Sequence, residues 1–236
     1  MKAEIHDALM RVSVATITTA LFKRGLRNQF VQGVRPVASK GRNMVGEAYT
    51  LRYIPAREDI DTIDVFLDPN HPQRLAVEEC PPGCVMVIDS RKDARAASAG
   101  SILISRLMVR GAAGIVTDGG FRDSPQIGDI DFPSYFACPS PPTNLTLHHA
   151  ADVNIPIGCG DAPVFPGDIV VGDAEGVVII PSQLAAEIAE EAIAMTEFED
   201  FATAKVLAGR SIVGLYPPTD EKIVQEFEAI KSRKSK

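Results

Sequence analysis

The chain has 236 residues, 45% of them hydrophobic, with 24 Lys and Arg against 31 Asp and Glu and a formal net charge of −7. That length supports one sizeable core, and the acidic balance argues against a nucleic-acid binder, which needs a positive stripe to neutralise phosphates. No stretch is long and apolar enough to span a membrane, and MKAEIHDALM lacks the apolar core of a signal peptide, so the expected compartment is the cytoplasm.

The first thirty residues suggest one or two helices, with Val12 to Thr16 as a turn into Ile17 to Arg24 and Gly25 as the stop. Phe30 to Pro36 reads as a loop, and the alternation from Val45 to Tyr53 predicts a half-exposed strand. The Pro/Asn-rich stretch Phe66 to Arg74 reads as an inserted loop that shapes substrate access. A solvated His71 is the simpler expectation there, and an acid/base His71 the sharper one.

Everything else is organised around 85–123. Val85 to Ile88 is a short apolar run suited to a strand buried on both faces. A polar loop then closes on Ala96-Ala97-Ser98-Ala99-Gly100. From Ser101 to Arg110, Leu103, Leu107 and Met108 fall at helical spacing, and Gly111 sits where a helix takes a left-handed cap. Gly114 to Thr117 reads as a second buried strand, released by Gly119-Gly120 into Phe121-Arg122-Asp123.

This β-α-β unit brings both loops to one sheet edge. One loop supplies backbone N–H groups at a helix start, over Gly100, Ser101, Ile102 and Leu103, which favour an anion. The other supplies Arg122, a forked cation, and Asp123, a hard carboxylate suited to a divalent metal. An Arg-Asp pair that merely pins a turn explains the same spacing equally well.

Ser124 to Asp131 suggests a loop with a short helical turn, and Phe132 to Ala137 returns to the sheet. Cys138 to Asn144 is a rigid Pro-rich connection, and His148-His149 is expected at the surface or in a subunit contact. Residues Ile155 to Pro181 predict closing strands, with turns at Pro166-Gly167-Asp168 and Ala174-Glu175-Gly176 that account for Asp168 and Asp173. Ser182 is placed as the N-cap of a long helix running towards Gly209. The tail past Gly214 is helical near its end, and Lys231 to Lys236 is expected to fray. Cys80, Cys84, Cys138 and Cys159 lack the spacing of a zinc site and read as reduced thiols, Cys159 as a buried one. No repeat or composition break appears, so 1–236 is expected to be one domain with helical extensions.

The segment GAAGIVTDGGFRD, the piece Pro156-Ile157-Gly158-Cys159-Gly160 and the run from Phe165 to Pro181 resemble one family. It contains the 4-hydroxy-4-methyl-2-oxoglutarate aldolases, the related oxaloacetate decarboxylases and the RraA-like regulators of ribonuclease E. The resemblance extends over roughly 45–209. It implies an α/β swivelling β/β/α-type fold with flanking helices, a long C-terminal helix, and a homotrimer or hexamer with sites between subunits. It implies Mg2+ or Mn2+ on Asp123, a keto acid steadied by Arg122, and a catalytic Glu from a neighbouring subunit. Glu199 best matches that Glu, with Glu197 in reserve. The family's aldolases carry an acidic residue after a Gly at a fixed distance before the pair; here that position is Ser101, after Gly100. The expected activity is a metal-dependent lyase on a small 2-oxo acid, by retro-aldol cleavage or decarboxylation. The alternative is a non-catalytic regulator that binds a ribonuclease by protein contacts.

Overall fold

A computed structural model describes residues 1–234. Two helices open the chain, α1 (Ala3–Leu9) and α2 (Val14–Lys23). Ser13 caps α2 by accepting the Thr16 N–H at 3.0 Å, so the helix begins inside the stretch read as a turn; Gly25, at φ +80°, ends it as expected. Then come β1 (Arg35–Pro36), β2 (Met44–Pro55), α3 (Pro72–Glu79), β3 (Cys84–Asp89), β4 (Ala97–Ala99) and α4 (Ser101–Val109). They are followed by β5 (Gly114–Thr117), β6 (Gly120–Phe121), α5 (Ser124–Asp129), β7 (Ser134–Phe136) and β8 (Cys138–Pro139). The closing strands are β9 (His148–Val153), β10 (Ile157–Cys159), β11 (Ala162–Val164), β12 (Ile169–Gly172) and β13 (Val177–Ile180). Two helices, α6 (Ala185–Leu207) and α7 (Glu221–Lys234), end the described chain; Ser235 and Lys236, the tip of the tail expected to fray, lie outside it.

The main sheet runs β1-β7-β5-β3-β2-β12-β13, with β9 also paired to β2. β2, β3, β5 and β7 are mutually parallel, so their carboxyl ends share one edge. Just beyond that edge, β4, β6 and β8 form a small parallel sheet of their own. Each of its strands follows a strand of the main sheet, which delivers the segments after β4 and β6 side by side.

β2 is not half-exposed. Tyr49, Leu51 and Tyr53 pack into a core with α3 and α4, Val45 on the same face packs towards the N-terminal helices and α6, and Met44 and Ala48 pack into a core on the other face. A strand between two layers is buried on both faces whatever its alternation. The Pro/Asn-rich stretch likewise ends in a helix, α3, because Pro72 occupies the first turn, where its missing N–H costs nothing. Its neighbour His71 is buried at 8% exposure, which corrects the solvated-loop expectation.

Helix α6 starts two residues later than a Ser182 N-cap predicts. Ser182 to Leu184 form a 3-10 turn, and the Ser182 N–H goes to Asp168 Oδ1 at 3.2 Å. Asp168 also accepts the Phe165 N–H at 2.9 Å, and Asp173 takes N–H groups from Val14 and Glu175, so both act as turn ligands. The first half of α6 buries Ile188 and Ala192 against Leu9, Ile17 and Leu21 of the N-terminal helices. Its second half packs Phe198 and Phe201 against Phe227 of α7. Lys23 and Arg24 pair with Glu191 and Glu187 of α6. Among the described residues no helix is long and apolar enough to cross a membrane.

The closest packing in the main sheet lies at Gly114, where an added Cβ would meet Met44 Cγ at 2.8 Å and the Pro133 carbonyl at 2.9 Å. Gly158 has open space at the same position. Gly114→Ala should therefore lower stability by about 1–3 kcal/mol through overpacking. Gly158→Ala should stay within about 0.5 kcal/mol of the parent. Equal denaturant midpoints for the two variants would contradict this packing.

Candidate functional site

Two turns build the site. β4 ends at Ala99, Gly100 follows in extended conformation, and Ser101 is the first residue of α4. β6 ends at Phe121 and gives way to Arg122 and Asp123, the residue before α5. The Arg122 N–H donates to the Ala99 carbonyl at 3.1 Å, which locks the turns together. Asp123 is left-handed, at φ 58°, a conformation that Asp tolerates better than most residues.

The side chains follow from that backbone. Asp123 Oδ2 accepts the Ser101 N–H at 3.3 Å and the Ser101 hydroxyl at 3.2 Å. Arg122 Nε stands 3.7 Å from Asp123 Oδ1, a loose ion pair. Both side chains are partly open to solvent, at 48% and 39% exposure. Gly100 lets the turns close: a Cβ there would lie 2.8 Å from Arg122 Cγ and 3.0 Å from Asp123 Oδ2, so both side chains would have to shift.

The anion seat expected over Gly100 to Leu103 is present, with one of its positions filled from within. The first α4 bond back to the chain is Ile104 N–H to the Gly100 carbonyl, so the N–H groups of Ser101, Ile102 and Leu103 point out of the helix start. Ser101's already serves the Asp123 carboxylate, which sits where the helix dipole favours negative charge. Ile102 beside it is 82% exposed. The structure thus brings Gly100, Ser101, Arg122 and Asp123 into contact. Glu199 lies apart on α6, with its carboxylate taken by Thr16 and Tyr216, each at 3.1 Å. Glu197 pairs with Lys231 at 2.8 Å.

Sequence reasoning missed Asp118, five residues before Asp123. It is buried and accepts N–H groups from Ser90 at 2.7 Å, Lys92 at 3.1 Å and Gly160 at 3.2 Å. It thereby ties the loop after β3 to the β10–β11 turn. Burial raises its pKa and the three N–H groups oppose that shift. The available signal was an Asp held between the β5 strand and a Gly-Gly pair, a position that is interior by register.

The histidines are structural. His148 is fully buried and stacks on Tyr53 with centroids 5.2 Å apart, and His149 bonds Asp61 at 2.7 Å. The surface expectation fails for His148, which lies under the β9–β2 pairing, while the His149 side chain keeps 31% of its surface exposed. All four cysteines are free thiols; burial pushes Cys80 up to about 12 and Cys159 well above its ordinary value, so neither is a ready nucleophile. Among the described residues no three His, Cys, Asp or Glu side chains converge as a metal cage.

The sequence profile described as RraA-like, Aldolase/RraA, matches residues 2–179. A Halalkalibacterium halodurans protein provisionally named a 4-hydroxy-4-methyl-2-oxoglutarate aldolase is 36% identical over 131 residues, 54% of this chain and 58% of that one. The Thermus thermophilus 4-hydroxy-4-methyl-2-oxoglutarate aldolase is 26% identical over 122 residues, 52% of this chain and 73% of that one. Matches to two further curated relatives span 32% and 50% of their lengths. The crystal structure of Streptomyces coelicolor RraAS2, described as an unusual member of the RNase ES inhibitor RraA family, superposes with a TM-score of 0.75 at 28% identity, covering 86% of this chain and 97% of that one.

Burial lowers the pKa of His148 and of His71 below 6.5. As pH falls, the unfolded chain takes up these protons before the folded one does, so stability is lost below about 6.5 towards the folded values. Calorimetric Tm should therefore fall between about pH 7 and 5.5. His148→Gln should be less stable at neutral pH and show a shallower decline. Parallel profiles for parent and variant would show that His148 is not held neutral.

Proposed function

Because the chain belongs to the RraA-like family, we propose that it is a divalent-metal-dependent lyase acting on a small 2-oxo acid. It would cleave substrates of the 4-hydroxy-4-methyl-2-oxoglutarate type, decarboxylate oxaloacetate, or do both. The observation that carries this reading is the Gly100–Ser101 and Arg122–Asp123 pair of turns, which sets a cation, a carboxylate and a helix start within contact.

In both reactions the C3–C4 bond of the substrate breaks and its electron pair passes to the 2-oxo oxygen as a pyruvate enolate, C4 leaving as CO2 or, as its hydroxyl gives a proton to water, as a second pyruvate. The enolate then takes a proton from water at C3 to become pyruvate. Arg122, a fixed cation at this edge, would donate to the 2-oxo oxygen as charge develops on it. The outward N–H groups at the start of α4 are suited to the C1 carboxylate. Asp123 fits a hard cation: Oδ1 makes only the loose contact with Arg122, and Ser101 holds Oδ2 in place. One carboxylate with no cage around it suits Mg2+ or Mn2+ kept largely hydrated. When bound, such an ion supplies Lewis-acid withdrawal of electrons from the keto group. A trimer or hexamer would bring Glu199 of the partner subunit towards this edge once it leaves Thr16 and Tyr216.

A second reading, a regulator that binds a ribonuclease in the cytoplasm, is favoured by the coverage of 97% of the RraAS2 chain. Pyruvate release separates the two. The lyase should release pyruvate from oxaloacetate or 4-hydroxy-4-methyl-2-oxoglutarate with magnesium or manganese and stop with chelator. Asp123→Ala should lower the rate by roughly 100-fold or more. No release from either substrate under any condition would sink the lyase reading. Ser101→Asp adds a second carboxylate beside Asp123 and should tighten magnesium in calorimetric titrations; unchanged affinity would remove Asp123 from the metal's surroundings.

A further inference from the structure

Beneath the site lie three buried hydroxyls that no step above uses. Ser90, Ser98 and Thr117 are each 0% exposed. Ser90 Oγ is 2.7 Å from Ser98 Oγ, Ser98 Oγ is 2.7 Å from Thr117 Oγ1, and Thr117 Oγ1 is 3.1 Å from Ser90 Oγ. Three O–H groups bring one hydrogen each to three contacts, so the ring closes with every hydroxyl donating once and accepting once. Thr117 Oγ1 also accepts the Gly119 N–H at 3.0 Å.

The ring joins two strand ends to the middle of a third strand. Ser90 follows β3, Ser98 is the middle residue of β4, and Thr117 ends β5. Two residues past Ser98 lies Gly100, and the chain past Thr117 runs through β6 into Arg122 and Asp123. The Ser98 carbonyl is held from its other side by the Tyr53 hydroxyl at 2.8 Å and by Gln73 Nε2 at 3.0 Å. Gly119 packs so closely that a Cβ would lie 2.6 Å from both Ser90 Cβ and Ser98 Oγ. Neither half of the site can shift against the other without breaking a contact that buried hydroxyls cannot replace with water.

We infer that the hydroxyl ring of Ser90, Ser98 and Thr117 is a positioning device that sets the separation of Ser101 and Asp123. Its effect on turnover rests on the lyase reading; its effect on the Ser101–Asp123 contact does not. Thr117→Val keeps the shape of the residue and removes the hydroxyl, while Thr117→Ser restores it. Thr50→Val is the control: Thr50 is fully buried in β2, and its hydroxyl donates to the Ile155 carbonyl, far along the chain from either turn.

Thr117→Val and Thr50→Val should lower Tm comparably. Only Thr117→Val should lower kcat for pyruvate release, by at least about tenfold with a smaller change in KM, and Thr117→Ser should recover it to within about twofold. A kcat for Thr117→Val within twofold of the parent would overturn the inference. If the parent releases no pyruvate, the lyase reading fails and the ring is read by NMR. The Ser101 amide resonance in Thr117→Val should then move towards its position in Asp123→Asn, and in Thr50→Val it should stay. An unmoved Ser101 resonance in Thr117→Val would overturn the inference on its own.

Discussion

The site depends on how closely the ends of neighbouring strands approach one another. At Gly119 a Cβ would fall 2.6 Å from Ser98 Oγ, at Gly120 it would fall 2.4 Å from Ser140 Cβ, and at Gly100 it would fall 2.8 Å from Arg122 Cγ. No side chain fits such gaps, so backbone meets backbone and side-chain oxygens there. Each glycine costs about 0.5–1 kcal/mol of extra chain entropy on folding. The buried hydrogen bonds of the Ser90–Ser98–Thr117 ring and of Asp118 offset part of that and give the turns a single geometry.

Within this framework two carboxylates five residues apart serve opposite ends. Asp118 points inward, is 4% exposed and spends its oxygens on three backbone N–H groups. Asp123 points outward, is 39% exposed and is held on one oxygen only. The first carboxylate is structural because its lone pairs are used; the second keeps one oxygen with only the loose Arg122 contact. The Gly119-Gly120 pair separates them by letting the chain pass from the main sheet to the small one between the two positions.

The central β-α-β unit was legible in the sequence because its signals are local: apolar runs at Val85 and Gly114, helical spacing from Ser101, and a left-handed Gly111 at φ +83°. The meeting of the Gly100–Ser101 and Arg122–Asp123 turns at one edge followed from the topology that those signals imply. What stayed hidden depends on partners distant in the chain. The polar residues of β2 gave it a half-exposed pattern, yet layers on both faces cover it. His71 and His148 lie in polar stretches, yet the pairing of β9 with β2 and the packing of α3 bury them. The hydroxyl ring draws on positions 90, 98 and 117, and no spacing in one strand announces three hydroxyls that meet only through two sheets.

The fold by itself does not separate an enzyme from a regulator, since one scaffold hosts both. The two are separated by charge at the shared edge. With an acid at position 101 the cluster would carry Arg122 against two carboxylates and favour a cation first. With Ser101 it carries one charge of each sign, and the Ser101 hydroxyl donates to Asp123 rather than competing with it. On the proposed lyase reading such an edge would hold a divalent ion less tightly but repel an anionic keto acid less. More of the substrate's charge would then fall to Arg122 and to the N–H groups at the start of α4. Those donors act only at fixed positions, which is why the rigidity beneath them matters more in this chain than it would beside a second carboxylate.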